Sequence, residues 1–149
     1  MSDALKLENQ LCHRFYTVSN AFSRAYRPLL KSLDITYPQY VVLMALWEQD
    51  DIPISELLRR TRIDGGAMTL ILRKLQDKGY LDLVADPHDK RSRRVKLTKG
   101  GSDARVQAES IPHQMVCNLN SLTADEAVQL RDLIDKLSDC LDKSVCEFE

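Results

Sequence analysis

Two groups of residues in this 149-residue chain have types and spacings suited to chemistry. The first is basic. Lys90, Arg91, Arg93 and Arg94 fall within five residues of one another in a polar stretch that starts at Asp86, and Arg59, Arg60 and Arg62 stand upstream. Cations at that density suit a polyanion, and Asp89 is placed to hold Arg91 or Arg93. The second group is the thiols. Cys12, Cys117, Cys140 and Cys146 are far apart and form no CxxC. Cys12 and Tyr16 are spaced i, i+4 and share a helix face, where a phenol O–H favours the nucleophilic thiolate. The bland alternative is a small apolar residue beside an apolar stripe. Cys117 follows His113 by four residues, a spacing that offers a metal two ligands from one helical turn, and Cys12-His13 could add donors. Pro112 weakens that helix start, and no resident metal is expected. There are no paired carboxylates, no nucleophilic triad and no phosphate-binding glycine loop. Neither an enzyme nor a cofactor is expected.

Composition frames these groups. The formal net charge is −1, which for the chain as a whole argues against nucleic acid. Sorted by segment, the reading reverses. Residues 1–58 sum to −2, residues 59–105 to +7 and residues 106–149 to −6. A basic middle between acidic ends points to an anionic partner for that middle. There is no apolar run of about 18 residues, so no membrane span is expected. With no export signal at the start of the chain, the thiols are expected to be reduced in the cytoplasm.

The elements that must position these residues follow from periodicity. Leu11, Phe15, Val18, Phe22, Ala25 and Leu29 form an apolar stripe, so residues 5–33 read as one helix, disturbed at Pro28. Residues 37–48 form a second helix, opened by a Thr36/Gln39 capping box and apolar nearly all round. Pro53 opens a short helix over about 54–61, and a turn with Asp64 as N-cap leads into a helix over about 66–78, ended by Gly79. The period then changes to two. Leu81 and Leu83, then Val95 and Leu97, mark two strands around the basic loop. Thr98 caps a helix over about 99–117, which Pro112 should disturb, and Thr123 with Glu126 caps a last helix carrying Leu130, Ile134, Leu137, Leu141 and Val145.

This order gives a mainly α fold with a small β-hairpin. It is a winged helix-turn-helix, with residues 35–98 as DNA-binding core and residues 1–34 and 99–149 as dimerisation helices of one domain spanning 1–149. The long stripes at both ends suit a homodimer that reads two half-sites of double-stranded operator DNA. In the 66–78 helix, Met68, Ile71, Leu72 and Leu75 face inward. Gly66, Thr69, Leu70, Arg73 and Gln76 then face the DNA, joined by Asp89, Lys90, Arg91, Arg93 and Arg94 of the wing. Thr69 and Arg73 suit base edges or phosphates, Leu70 suits a thymine methyl, and a wing arginine suits the minor groove.

The wing run Asp89-Lys90-Arg91 followed by Val95-Lys96-Leu97-Thr98 resembles the signature of the MarR family, and the helix order matches that family across nearly the whole chain. The resemblance implies a dimeric winged-helix repressor, released by a small ligand or by oxidation. The stretch Leu7–Cys12, with Ala25-Tyr26-Arg27-Pro28-Leu29-Leu30 and Leu33–Tyr40, resembles more narrowly the OhrR branch of organic-hydroperoxide sensors.

That resemblance implies that Cys12 is the peroxide-reactive cysteine. It implies that Tyr26 and Tyr37 hydrogen-bond it and that Tyr16 lies nearby. A thiolate attacking a peroxide O–O bond becomes a sulfenic acid. Cys12 and Tyr26 are 14 residues apart, about 21 Å along a helix, so any contact between them must join two subunits. The resemblance further implies a two-cysteine switch, in which Cys117 of the second subunit closes a disulfide with Cys12. Some relatives carry another resolving cysteine where this chain has Ser121. Cys140 and Cys146 read as packing residues or incidental thiols. The alternatives within the same fold are release by a small phenolic ligand or by a metal ion.

Overall fold

A computed structural model describes residues 3–146. The chain divides into two compact units, residues 1–112 and 113–149.

In the first unit, two short 3-10 turns, Asp3–Leu5 and Leu7–Asn9, precede α1 (Leu11–Leu30). The helix expected from residue 5 therefore begins six residues later. Side-chain amides compete with the helix here: Asn9 Nδ2 donates to the Asp3 carbonyl at 2.8 Å and Gln10 Nε2 donates to the Ala4 carbonyl. At its other end α1 runs through Pro28 and gives way to a 3-10 turn at Lys31–Leu33. Its stripe of Leu11, Phe15, Val18 and Phe22 is exposed on the single chain.

Helix α2 (Tyr37–Glu48) starts at the expected capping box, with the Thr36 amide donating to Gln39 Oε1 at 3.1 Å. Its all-round apolar surface makes it central, and Tyr40, Val42, Leu43 and Leu46 are buried. Strand β1 (Ile52–Pro53) leads into α3 (Ile54–Thr61), which ends at Arg62 in the left-handed region. Helix α4 (Gly65–Asp77) follows. The Asp64 side chain makes no cap hydrogen bond, contrary to expectation; its carbonyl takes the Met68 amide at 2.8 Å. The far end closes as a Schellman turn. Gly79 sits at φ +77°, its amide bonds Gln76 O, and the Tyr80 amide bonds Leu75 O.

Strands β2 (Leu81–Ala85) and β3 (Arg93–Leu97) pair antiparallel in the register Leu83↔Val95. The sheet gains a third strand, because β1 pairs β3 through Ile52↔Val95 and Pro53↔Arg94. Two residues are too few for periodicity to reveal. Thr98 caps α5 (Lys99–Ala108), accepting from the Gly101 amide at 3.1 Å. The helix expected over 99–117 is broken after Ala108 and resumes as α6 (Ile111–Asn118). Pro112 has no N–H to offer the Ala108 carbonyl, which ends the first segment.

In the second unit, α7 (Ala124–Cys146) begins at a complete capping box. The Thr123 amide donates to Glu126 Oε2 at 2.9 Å, and the Glu126 amide donates to Thr123 Oγ1 at 3.2 Å. Leu130, Leu133, Ile134 and Leu141 are exposed on the single chain. The side chains of Val145 and Cys146 lie outside the described residues.

Candidate nucleic-acid interface and thiol site

Helix α4 buries Met68, Leu72 and Leu75 and packs on α2 and β2. The opposite face carries Gly66, Thr69, Leu70, Arg73 and Gln76, all exposed, with Leu70 59% accessible. An exposed leucine at that level on a helix of otherwise good amphipathicity suits an apolar contact with a partner. Thr69 Oγ1 donates to the Gly65 carbonyl at 3.0 Å, which leaves its lone pairs facing outward as acceptors. A Cβ added at Gly65 or Gly66 would meet nothing within 4 Å, so the start of α4 presents bare backbone to solvent. Such a helix start favours phosphate.

The loop between β2 and β3 is shaped by two aspartates. Asp86 Oδ1 accepts from the His88 amide and Asp89 Oδ1 from the Arg91 amide, both at 2.9 Å. Asp89 thus holds Arg91 in position as the spacing suggests, and does so through the Arg91 backbone amide. Lys90, Arg91 and Arg93 are exposed, and among the described residues their side chains have no acidic partner.

The other arginines behave differently. Arg94 Nε donates to Asp51 Oδ1 at 2.8 Å, its Nη2 reaches the Asp51 carbonyl, and Asp86 lies 3.8 Å away. The Asp51 hydrogen bond holds this guanidinium in its charged form. Arg94 is thus spent inside the protein, unlike its neighbours in the run. Arg59 forks onto Glu56 at 2.9 and 2.6 Å, and this hydrogen bond holds the Glu56 carboxyl below its usual range. Arg60 bonds Glu48 and the Ala45 carbonyl. The upstream basic cluster is in these two cases structural, because Glu56 lies one turn before Arg59 on α3 and Glu48 folds next to Arg60.

Cys12 lies in the first turn of α1 and is exposed, with Tyr16 one turn on and 67% accessible. Tyr26 and Tyr37 are brought together, their ring centroids 4.5 Å apart, and Tyr40 joins them at 6.0 Å from Tyr26. Sequence reasoning missed Tyr40, although the Tyr37-Pro38-Gln39-Tyr40 spacing places both rings one turn apart. Burial, then the neighbouring phenols, push the Tyr26 and Tyr40 hydroxyls up. They stay protonated donors near neutral pH. Within one chain these rings lie toward the opposite end of α1 from Cys12.

Cys117 is exposed on α6, with its Sγ 3.9 Å from His113 Nε2. Among the described residues no group of three or more His, Cys, Asp or Glu side chains is arranged to hold a metal. A cleft of about 550 Å³ opens beside the end of α1, lined by Arg24, Arg27, Lys31, Ile35 and Lys78 among others. No helix of the described residues is long and apolar enough to cross a membrane.

The MarR family profile matches residues 35–92, the stretch from the start of α2 into the wing. The chain is 32% identical over 139 residues to the organic hydroperoxide resistance transcriptional regulator of Bacillus subtilis, covering 93% of this chain and 94% of that protein. It is 35% identical over 141 residues to the HTH-type transcriptional regulator TtmR of Methylorubrum extorquens, covering 95% of this chain and 70% of that one. Among solved structures, reduced AbfR bound to DNA superposes with a TM-score of 0.79 at 26% identity, covering 97% of this chain and 98% of that one.

Proposed function

Because the chain belongs to the MarR family of DNA-binding winged-helix transcriptional regulators, we propose that it is a redox-sensing repressor. In this reading the reduced protein is a homodimer that holds double-stranded operator DNA, and oxidation of Cys12 by an organic hydroperoxide releases it. The single observation that carries the redox reading is the tyrosine cluster: Tyr26 and Tyr37 pack at 4.5 Å, and burial raises the Tyr26 hydroxyl so that it is available as a donor. The hydroperoxide regulator among the relatives supports the same reading.

The exposed stripes of α1 and α7 are the dimer surface in this proposal, since exposed apolar faces of that length call for a partner. Tyr26 of the partner subunit and Tyr37 of the partner subunit then donate to the Cys12 thiolate, with Tyr16 on the same face of α1. The thiolate attacks the distal peroxide oxygen, the O–O bond breaks, and an alcohol leaves with one proton, giving Cys12 sulfenic acid. Cys117 of the partner subunit then displaces that hydroxyl as water, forming the disulfide. A bond requiring Cα atoms within about 7 Å constrains where the helices stand and moves the wings off their half-sites.

DNA contact is assigned to Gly66, Thr69, Leu70, Arg73 and Gln76 on α4 and to Lys90, Arg91 and Arg93 on the wing. Asp89 shapes that loop, and Arg94 braces it. The cytoplasm, where thiols are kept reduced, is the compartment this switch requires.

The test is operator binding by wild type, Cys12→Ser and Cys117→Ser, before and after cumene hydroperoxide, with intact mass under non-reducing conditions. Wild type should release DNA and form a linked dimer. Cys12→Ser should stay bound, and Cys117→Ser should form no linked dimer. Release of Cys12→Ser by peroxide would sink the thiol switch. A second reading, release by a phenolic acid, is favoured by the cleft beside Arg24, Arg27 and Lys31, whose side chains have no acidic partner among the described residues. Salicylate releasing DNA from Cys12→Ser, while peroxide does not, would select it.

A further inference from the structure

His113, which stands beside Cys117, is not used by the switch as described so far. The two residues stand one helical turn apart on α6, both exposed, with Sγ 3.9 Å from Nε2. That is within the range of a sulfur hydrogen bond. A thiol is a poor nucleophile until its proton leaves, and an imidazole nitrogen is the side-chain group best suited to take it near neutral pH. Both groups face solvent, so an electrophile can reach the sulfur while the imidazole stands beside it. The two are one turn apart on the same short helix, so the side chains meet without needing a contact from elsewhere.

We propose that His113 is the proton acceptor for Cys117 and speeds the reactions of that thiol. Its role in the disulfide step rests on the redox reading above. There, Cys117 Sγ forms a bond to the Cys12 sulfur as the S–O bond of the sulfenic acid breaks. The Cys117 proton passes to His113 Nε2 and from it to the departing hydroxide, which leaves as water. The organic hydroperoxide has already supplied the oxidising equivalents, and the imidazole ends as it began. His113 and Cys117 thus act as a resolving dyad rather than as the two-ligand metal site that their spacing also suggests.

The experiment reads Cys117 directly, apart from Cys12. In reduced Cys12→Ser protein with chelator present, the rate of iodoacetamide capture at Cys117 is followed by peptide mass. His113→Ala and His113→Gln should each slow capture by about tenfold or more, in line with removal of a general base. Added imidazole should restore much of the rate in His113→Ala, which no loss of a purely structural contact would allow. Unchanged capture, or slowed capture that imidazole does not restore in a variant with wild-type circular dichroism, overturns the proposal. In the Cys12-containing protein, dimedone trapping at Cys12 should proceed at the wild-type rate in His113→Ala while the Cys12–Cys117 link forms about tenfold more slowly. Wild type that forms no such link, with the capture result intact, refutes the redox reading and leaves the dyad standing.

Discussion

Arg94 Nε donates to Asp51 Oδ1 at 2.8 Å, and one residue earlier Asp50 Oδ1 accepts the Leu97 amide at 2.8 Å. The two aspartates clasp β3 at both ends and fix the wing to the segment that leaves α2. Asp51 adopts φ +53°, a left-handed conformation that Asp tolerates better than most residues. The clasp predicts that Arg94 serves DNA binding by position. Arg94→Ala should weaken operator affinity with no change in the slope of log affinity against log salt. A slope reduced by about 1 would instead place Arg94 on a phosphate.

Arg91 and Arg93 should behave in the opposite way. Each is exposed and without an acidic partner among the described residues. Arg91→Ala or Arg93→Ala should lower the salt slope by about 1 apiece and weaken binding across unrelated DNA sequences alike. Fluorescence anisotropy at several salt concentrations checks both.

Gly66 separates stability from binding. A Cβ there meets nothing within the protein, and Ala is the better helix former by up to about 1 kcal/mol. Gly66→Ala should therefore melt no earlier than wild type yet bind operator more weakly, because the added methyl stands where α4 approaches the DNA backbone. Equal affinity for the two proteins would remove Gly66 from the interface.

Gly101 gives the contrasting case. A Cβ built there would stand 2.0 Å from the Tyr80 carbonyl oxygen and 2.9 Å from Leu97 Cδ2, and the Gly101 carbonyl accepts Trp47 Nε1 at 2.8 Å. Gly101→Ala must push β2 or α5 aside and should cost about 1–3 kcal/mol in urea unfolding.

Tyr80 predicts an alkaline effect. Its hydroxyl donates to the Leu33 carbonyl at 2.6 Å, and burial, then nearby Asp34, raise its ionisation above the ordinary phenol value. A raised folded value means stability that is fully present below about pH 10 and lost as pH rises through the folded value. Tyr80→Phe should lose about 1 kcal/mol at neutral pH and show a shallower alkaline decline. Thermal melts from pH 7 to 11 decide this.

What the sequence determined by itself is the set of features whose partners are close in the chain. The capping boxes at Thr36 and Thr123, the Gly79 stop and the inward stripe of α4 each depend on residues within about one helical turn or two. The two longer strands were legible in the same way, and so was the concentration of positive charge between residues 59 and 105. The tertiary structure decided the features whose partners are distant. Arg94 meets Asp51 across 43 residues and Arg60 meets Glu48 across 12, which takes two cations out of a run that looked uniformly available. Strand β1 is a strand only because Val95 lies opposite Ile52. Tyr26 and Tyr37 meet because the turn at Lys31–Leu33 folds α2 back on α1. A side chain's type is written in the sequence, but whether its charge, donor or ring remains available is settled by what folding places beside it.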